Sequence, residues 1–339
     1  MEEISIISYN SRGFSNCKQD FVKLLTKLTG NVHTILCNQE HFLLRNNDYL
    51  VKQTLPDHHV VFKPAVKNSL DGRPKGGLFM AVPLKYKDKV EDVSPDSFRI
   101  QCIILSLPST KLLLINTYFP TDPKGDFDEN ELLLLLADIR RLLEEKNFDS
   151  VIWLGDINAD FRRTTKFVGL VSEFIDEHGI IKSWDKHEVD FTHLTVRDER
   201  TYTSTIDHFF WDETCDKLIK EAGVLHHPDN MSDHSPIFCK INAPDSDTSQ
   251  ARNLIKSKAT RPIWRLASDE EKLSFHNEID TQLQETSLSL EALNCTNTHC
   301  KNESHIRMID DLMENVLMTL ESSAKHHIPT PSDQCSSKK

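Results

Sequence analysis

Apolar and polar positions change period repeatedly along the chain. Ile4-Ser5-Ile6-Ile7-Ser8-Tyr9 is a short β-branched run that stops at Asn10 and Gly13, and Phe21, Leu24, Leu25 and Leu28 then recur at helical spacing over residues 19–29. Val32 to Cys37 predicts a second strand, and Val60 to Phe62 and Gly77 to Val82 predict strands around a loop rich in Gly, Pro and Lys. Residues 99–107 and 111–118 predict two buried strands joined at Pro108-Ser109-Thr110. Glu129 to Glu145 predicts a long leucine-rich helix with Asp126 or Asp128 as its cap. Val151 to Leu154 is a further buried strand stopping at Gly155, and Ile206 to Trp211 and Pro236 to Ile241 complete the series. Strands alternating with helices predict an α/β (α+β) domain over residues 1–241.

The pattern breaks at residues 242–262, where Asn242-Ala243-Pro244 opens a stretch of Asp, Ser, Thr, Gln and Asn with linker chemistry. Residues 263–329 predict a helical extension. Ser268-Asp269-Glu270-Glu271 reads as a capping box, and Ile306, Ile309, Leu312, Val316, Leu317 and Leu320 form one apolar stripe. Residues 330–339 predict a disordered tail.

Composition narrows the function classes. No run approaches the roughly 18 apolar residues of a membrane helix, and Met1-Glu2-Glu3-Ile4 has no basic stretch before an apolar core. The expectation is an intracellular protein of the nucleus or cytoplasm, not secreted and without a membrane partner. The eight cysteines are scattered and read as reduced thiols. The net charge is −12, and residues 241–339 hold 15 acids against 11 bases, leaving 37 against 29, or −8, for residues 1–240. That balance argues against indiscriminate nucleic-acid binding, so local basic clusters matter more: Lys63, Lys67, Arg73 and Lys75 in one segment, Arg162, Arg163 and Lys166 in another.

Five stretches end a strand-like run in polar residues able to hold a metal or move a proton. They are Tyr9-Asn10-Ser11-Arg12-Gly13; Cys37-Asn38-Gln39-Glu40; Asn116-Thr117-Tyr118-Phe119-Pro120; Gly155-Asp156-Ile157-Asn158; and a last one in two parts, Thr205-Ile206-Asp207-His208 with Ser232-Asp233-His234. Polar groups at strand ends are where α/β folds usually place sites. Singly, each has an ordinary reading: Glu40 as a solvated loop residue, Asp156 and Asn158 as an Asx turn or helix cap, Tyr118 as core or edge. Their joint occurrence, in order, on alternating elements carries the functional reading.

The order of these stretches resembles the endonuclease/exonuclease/phosphatase superfamily, and Asn10-Ser11-Arg12-Gly13 resembles the Asn-x-Arg-Gly of its non-LTR retrotransposon endonuclease domains. The match covers about residues 3–241. The resemblance implies a four-layer αββα sandwich of two mixed β-sheets, here with a C-terminal helical extension. It implies a divalent-metal-dependent phosphodiesterase using Mg2+, with Mn2+ as an alternative, and DNA as partner. Glu40 matches the metal-binding glutamate, Asn10 the asparagine at the metal and phosphate, and Asp233 an acidic residue near the metal. Asp156 matches the residue that orients or deprotonates the attacking water, and Asn158 its phosphate-binding neighbour. Tyr118 would hydrogen-bond the phosphate, His234 would stabilise the transition state, and Asp207 would hold His234. Some relatives carry an acid where this chain has Arg12, which cannot ligate a cation; Arg12 is left to hold phosphate or pair with Glu40. Arg12, Arg73, Lys75, Arg162 and Arg163 are the candidate nucleic-acid contacts.

Two alternatives stay open. One is a phosphatase of the same fold acting on inositol phosphates or lipid head groups, although Asn158-Ala159-Asp160 lacks the stretch expected of it. The other is an inactive retroelement remnant. The tail resembles the segment between endonuclease and reverse transcriptase in non-LTR elements, yet no Tyr/Phe-x-Asp-Asp stretch is present, so no reverse transcriptase domain is expected in this chain. Cys295, Cys300 and His305, with His299 as a candidate fourth ligand, lack the standard pair-of-pairs zinc spacing. The sequence therefore favours a polar loop there over zinc.

Overall fold

The computed structural model describes residues 2–28, 33–67, 72–121, 128–243, 264, 267–284, 290–296, 300 and 302–329. It divides into two units, residues 1–251 and 252–339. In the first, β1 (Glu2–Asn10), α1 (Asn16–Leu28), β2 (Thr34–Gln39), α2 (Asp48–Thr54), β3 (His58–Lys63) and β4 (Leu78–Pro83) come in turn. Next are β5 (Val90–Asp92), β6 (Ile100–Ser106), β7 (Lys111–Tyr118), α3 (Glu129–Glu145), β8 (Ser150–Asp156) and α4 (Lys166–Glu177). Last are β9 (Ile181–Lys182), β10 (His193–Arg197), β11 (Arg200–Ser204), β12 (Asp207–Trp211), α5 (Glu213–Asp216), β13 (Ile219–Val224) and β14 (Ile237–Ala243).

Two six-stranded mixed sheets result, ordered β13-β14-β1-β2-β4-β3 and β5-β6-β7-β8-β12-β9, besides a β10-β11 ribbon. Each sheet has one parallel pair at its centre, β1/β2 and β7/β8, with antiparallel neighbours outside it. α1 and α3 supply the crossovers that a parallel pair requires.

The two-residue period of a strand sets the layers. Ile4 and Ile6 of β1, Ile35 and Cys37 of β2, Leu112 and Leu114 of β7, Ile152 and Leu154 of β8, and Phe209 and Trp211 of β12 pack in one cluster between the sheets. Alternate residues face outward. Ile7, Tyr9 and Leu36 pack with Phe21, Val22 and Leu25 of α1 and Val51 of α2. Leu113, Ile115, Trp153 and Phe210 pack with Leu132, Leu136 and Ile139 of α3 and Val171 and Phe174 of α4. The layers run helix, sheet, sheet, helix, the αββα sandwich that the motif order implied.

The inward face changes character at one end. Continuing the same period, Ile4 and Ile6 are followed by Ser8 and Asn10, Ile35 and Cys37 by Gln39, Leu112 and Leu114 by Asn116 and Tyr118, and Leu154 by Asp156. Burying one aliphatic side chain contributes roughly 1.5–3 kcal/mol; an unpartnered buried polar group forfeits about as much. This end is therefore networked: Gln39 Nε2 lies 3.0 Å from Ser8 Oγ and 2.7 Å from Asn116 Oδ1, and Asn116 Nδ2 donates to the Asn38 carbonyl at 3.2 Å.

Several elements lie outside the sequence reading: α2, the short strands β5 and β9, the β10-β11 ribbon, α5 and β13. α4 was also missed, although Thr165 caps it and Phe167, Val168, Val171, Phe174 and Ile175 form its buried stripe. Asp128 caps α3, accepting from the Asn130 and Glu131 amides, and Asp126 lies outside the described residues. β14 runs two residues past position 241, to Ala243; residues 244–263 and the tail 330–339 lie outside the described residues.

In the second unit, α6 (Asp269–Gln284) and α7 (Leu290–Leu293) pack on α8 (Glu303–His327). The capping box forms, with Ser268 N donating to Glu271 Oε2 at 2.7 Å and Glu271 N to Ser268 Oγ at 3.2 Å. The apolar core among its described residues is small: a cluster of Ala267, Ala324, Ile328 and the half-buried Phe275, with Ile279 and Ala292 also buried. No helix among the described residues is long and apolar enough to cross a membrane.

Candidate active site

The polar ends of the two parallel pairs meet. Asn10 ends β1, Gln39 ends β2, Tyr118 ends β7 and Asp156 ends β8, while Asp207 opens β12 opposite Asp156. Three of these exits turn sharply through a left-handed residue: Arg12 after β1 (φ 44°), Glu40 after β2 (φ 53°) and Asn158 after β8 (φ 55°). Such conformations cost about 1–3 kcal/mol for residues with a Cβ and cluster at functional sites. The first two turns are clasped together, since Gly13 N donates to the Glu40 carbonyl at 2.7 Å. Gly155 lets β7 and β8 approach: with φ 136°, a Cβ there would lie 2.0 Å from the Thr117 carbonyl oxygen.

Asp156, Asp207 and His234 form a buried cluster. Asn10 Nδ2 donates to Asp156 Oδ2 at 2.8 Å, and the Asn158 amide donates to Asp156 Oδ1 at 3.1 Å. His234 Nδ1 lies 2.9 and 3.1 Å from the Asp207 carboxylate oxygens, which leaves Nε2 facing Asp156 Oδ2 at 4.0 Å. Burial pushes the Asp156 carboxyl up to about 7, reinforced by the Asp207 and Glu40 charges and opposed by His234. Burial alone would lower the His234 imidazole, but the Asp207 and Asp156 carboxylates outweigh it and hold it at about 9. The site thus joins a carboxylate of raised basicity to a charged imidazolium.

Glu40 lies beside Tyr118. Burial, with the Glu40 charge adding to it, pushes the Tyr118 phenol well above its ordinary range, so it remains a proton donor. Asn158 turns its amide Nδ2 to the Phe119 carbonyl at 2.9 Å. Asp233 pairs with Arg12, and its Oδ2 lies 3.4 Å from His193 Nε2. Burial would raise Asp233, but His193, His234 and Arg12 hold it well below the usual carboxylate range. Arg12 therefore pairs with Asp233 and not with Glu40.

The donor set fits a hard divalent cation. Asp233 Oδ1 is buried without a hydrogen-bond partner among the described residues. Asn10 Oδ1 has given one lone pair to the Arg12 amide at 3.0 Å and keeps another. With the Glu40 carboxylate these are oxygen donors only, the preference of Mg2+ and Mn2+.

The basic candidates divide. Arg73 lies over the Phe42 ring at 5.4 Å, and Lys75 belongs to the backbone bridge with Val66. Arg162 is committed to its own turn, with Nε and Nη2 on the two Asp160 oxygens at 2.9 and 2.8 Å; Arg163 is more loosely placed, 4.0 Å from Asp160. Lys18 was missed. Its ammonium binds the Ser11 and Arg12 carbonyls, and the charges of Asp233, Glu40, Arg12 and Arg73 all act on it. Nothing in a single helical lysine signals that placement.

Other supporting residues were also missed. Ser232 Oγ donates to the Asn10 carbonyl at 2.8 Å, Asn230 Nδ2 to the His234 carbonyl at 2.8 Å, and Thr192 Oγ1 accepts the Ile206 and Asp207 amides at 3.0 Å each. His208 faces outward instead, bound to the Ala159 carbonyl at 2.8 Å and stacked on Phe210.

No protein-family model matches the sequence, and no curated protein matches it. Solved structures do. The AP endonuclease LMAP from Leishmania major superposes with a TM-score of 0.57 at 14% identity, covering 72% of this chain and 89% of that one. The endonuclease domain of TRAS1, a telomere-specific non-LTR retrotransposon, gives 0.52 at 16%, covering 70% and 98%. The 3′ phosphatase NExo from Neisseria, bound to a product DNA hairpin, gives 0.55 at 16%, covering 70% and 99%. The chain shares its fold with these solved structures.

Proposed function

We propose that the chain is a divalent-metal-dependent phosphodiesterase, and specifically a DNA endonuclease of the retrotransposon or abasic-site type that hydrolyses a phosphodiester with an activated water. The observation that carries the proposal is the buried Asn10–Asp156–His234–Asp207 chain beside Glu40, at the joined ends of two sheets. The likeness to an AP endonuclease and to a retrotransposon endonuclease domain supports the class of substrate.

Asp156 is the proton acceptor for water. Its raised basicity matches neutral pH, where a general base works best, and Asn10 and the Asn158 amide fix its two oxygens. Asp207 holds the His234 Nδ1 proton, so Nε2 presents the other proton to the phosphoryl oxygen as negative charge grows. Tyr118 donates a second hydrogen bond to the phosphate, with Asn158 as a further phosphate-binding candidate. Glu40, Asn10 and Asp233 would hold the cation, which when bound supplies neutralisation of the phosphate and leaving oxygen. Arg12, Lys18 and Arg73 offer positive charge at the rim.

The test is incubation of the purified protein with supercoiled plasmid, with Mg2+ and with chelator. Nicking that requires the cation is expected. Phosphate release from soluble inositol phosphates without nicking would assign the phosphatase of the same fold, and neither activity would assign a remnant.

A further inference from the structure

The second unit holds a cluster that its amino-acid spacing did not favour as a metal site. The Cys295 and Cys300 sulfurs and a His305 ring nitrogen all lie within 4.8 Å of one another. Cys295 lies just past α7, its amide bonded to the Ala292 carbonyl at 3.3 Å. His305 lies in the first turn of α8, whose cap is Asn302. Thus residues at the ends of two helices, with Cys300 between them, converge on one point.

We propose that Cys295, Cys300 and His305 bind a zinc ion that joins α7 to the start of α8.

The distances suit the ion. Zn–S of about 2.3 Å and Zn–N of about 2.0 Å at a tetrahedral angle place the two ligand atoms about 3.5 Å apart. Cys300 Sγ and His305 Nδ1 are 3.6 Å apart. The other ring nitrogen faces a carboxylate, with Nε2 3.6 Å from Glu291 Oε1 on α7, beyond hydrogen-bond length but near enough to favour a proton there. A carboxylate on the far nitrogen keeps the proton there and frees Nδ1 for the metal. Binding releases the two thiol protons, and two thiolates with a neutral imidazole balance the charge of Zn2+. A fourth position is left for water or a further donor. Soft sulfur ligands separate this site from the oxygen-only set at the candidate active site.

The unit also has reason to need a staple. Its buried apolar residues among those described are few (Ala267, Ile279, Ala292, Ala324 and Ile328, with Phe275 half-buried), while Leu273, Ile306, Met313, Leu317 and Met318 are exposed. Units with so little core usually rely on a metal, a disulfide or a partner.

The test uses the full chain, purified under reducing conditions, loaded with zinc and passed over chelating resin. Elemental analysis should find one zinc per chain, and Cys295 and Cys300 should resist alkylation until a strong chelator is added. Cobalt substitution should give a thiolate-to-metal charge-transfer band, which an oxygen-ligated active-site ion cannot produce. Cys300→Ser and His305→Ala should each lose the retained zinc. His327→Ala, which removes a ligand of the separate Glu278–His326–His327 group, should keep it. Background zinc in the intact chain, no charge-transfer band, or free alkylation of both cysteines would each overturn the proposal, leaving a thiol–imidazole hydrogen bond. So would a Cys295–Cys300 disulfide in peptides from the protein as isolated. The alkylation and cobalt measurements use the unmutated chain, so they decide the matter even if a variant fails to fold.

Discussion

Side chains buried together lend one another protonation states that none would hold alone. His234 is charged because Asp207 and Asp156 flank it, and Asp156 keeps its basicity because burial makes its ionised form costly. His234→Ala and Asp156→Asn should each lower plasmid cleavage about 10²-fold or more, as loss of a transition-state donor or a base does. Both variants should retain a cooperative melt; its loss alongside activity would make these residues structural. The charged histidine also predicts a pH dependence in metal-free protein. Its folded pKa of about 9 lies above the unfolded value of about 6.5. The stabilisation is therefore complete below the unfolded value and disappears as pH rises through the folded one. It is worth on the order of 3 kcal/mol. Urea midpoints of the parent and His234→Gln in chelator should differ most at about pH 6.5 and below and converge as pH rises past about 9. A constant gap would mean that His234 is neutral in the fold.

At the scale of elements, the site depends on how strands end. β7 and β8 run parallel with Thr117 beside Gly155, and a Cβ at Gly155 would lie 2.0 Å from a backbone carbonyl that cannot move aside. Gly155→Ala should therefore cost more than about 4 kcal/mol, beyond an ordinary point change, and abolish cleavage. A thermal melt within a few degrees of the parent would show that β7 and β8 do not approach this closely at Gly155. The Asp160 turn separates two adjacent arginines in the same way. Asp160 is nearly buried and takes both ends of the Arg162 guanidinium, so Arg162→Ala should lower stability by about 1 kcal/mol, the Thr205 and Arg162 amides still donating to the carboxylate. Arg163→Ala should leave the urea midpoint unchanged, and equal losses in the two variants would contradict the assigned pairing.

At the scale of the molecule, a chain of net charge −12 must approach DNA through local cations and not through its overall field. If Arg73 and Arg163 contact phosphates, the double variant Arg73→Ala with Arg163→Ala should weaken DNA binding. It should flatten the log–log salt dependence by nearly one unit per lost contact. The single-turnover rate at saturating DNA should stay near the parent value, and unchanged slope and affinity would remove both residues from the binding face. The division into two units leads to another expectation: a chain ending at Ala243, where β14 closes its pairing with β1, should fold and cleave without the helical extension. Insolubility of that chain beside an active full-length protein would make the extension part of the domain.

The alternating apolar runs already determined the α/β class, most central strands and the long helix α3, because period and capping are local properties of sequence. The capping box at Ser268 and the cap at Asp128 were legible for the same reason. The polar residues at strand ends could also be picked out, since each interrupts an apolar period. The edge strands β5, β9 and β13 and the β10-β11 ribbon were not legible, having little apolar signal. Nor did the sequence settle which cation meets which carboxylate. Arg12 and Asp233 are separated by more than two hundred residues, as are Ser232 and Asn10, and only closure of β14 on β1 brings them together. The thiols and histidine near α8 make the same point at short range: their spacing follows no standard pattern, yet the fold brings them within a single ion's reach. Pairing across the fold is a property of three-dimensional distance, which the tertiary structure sets and a linear period does not record.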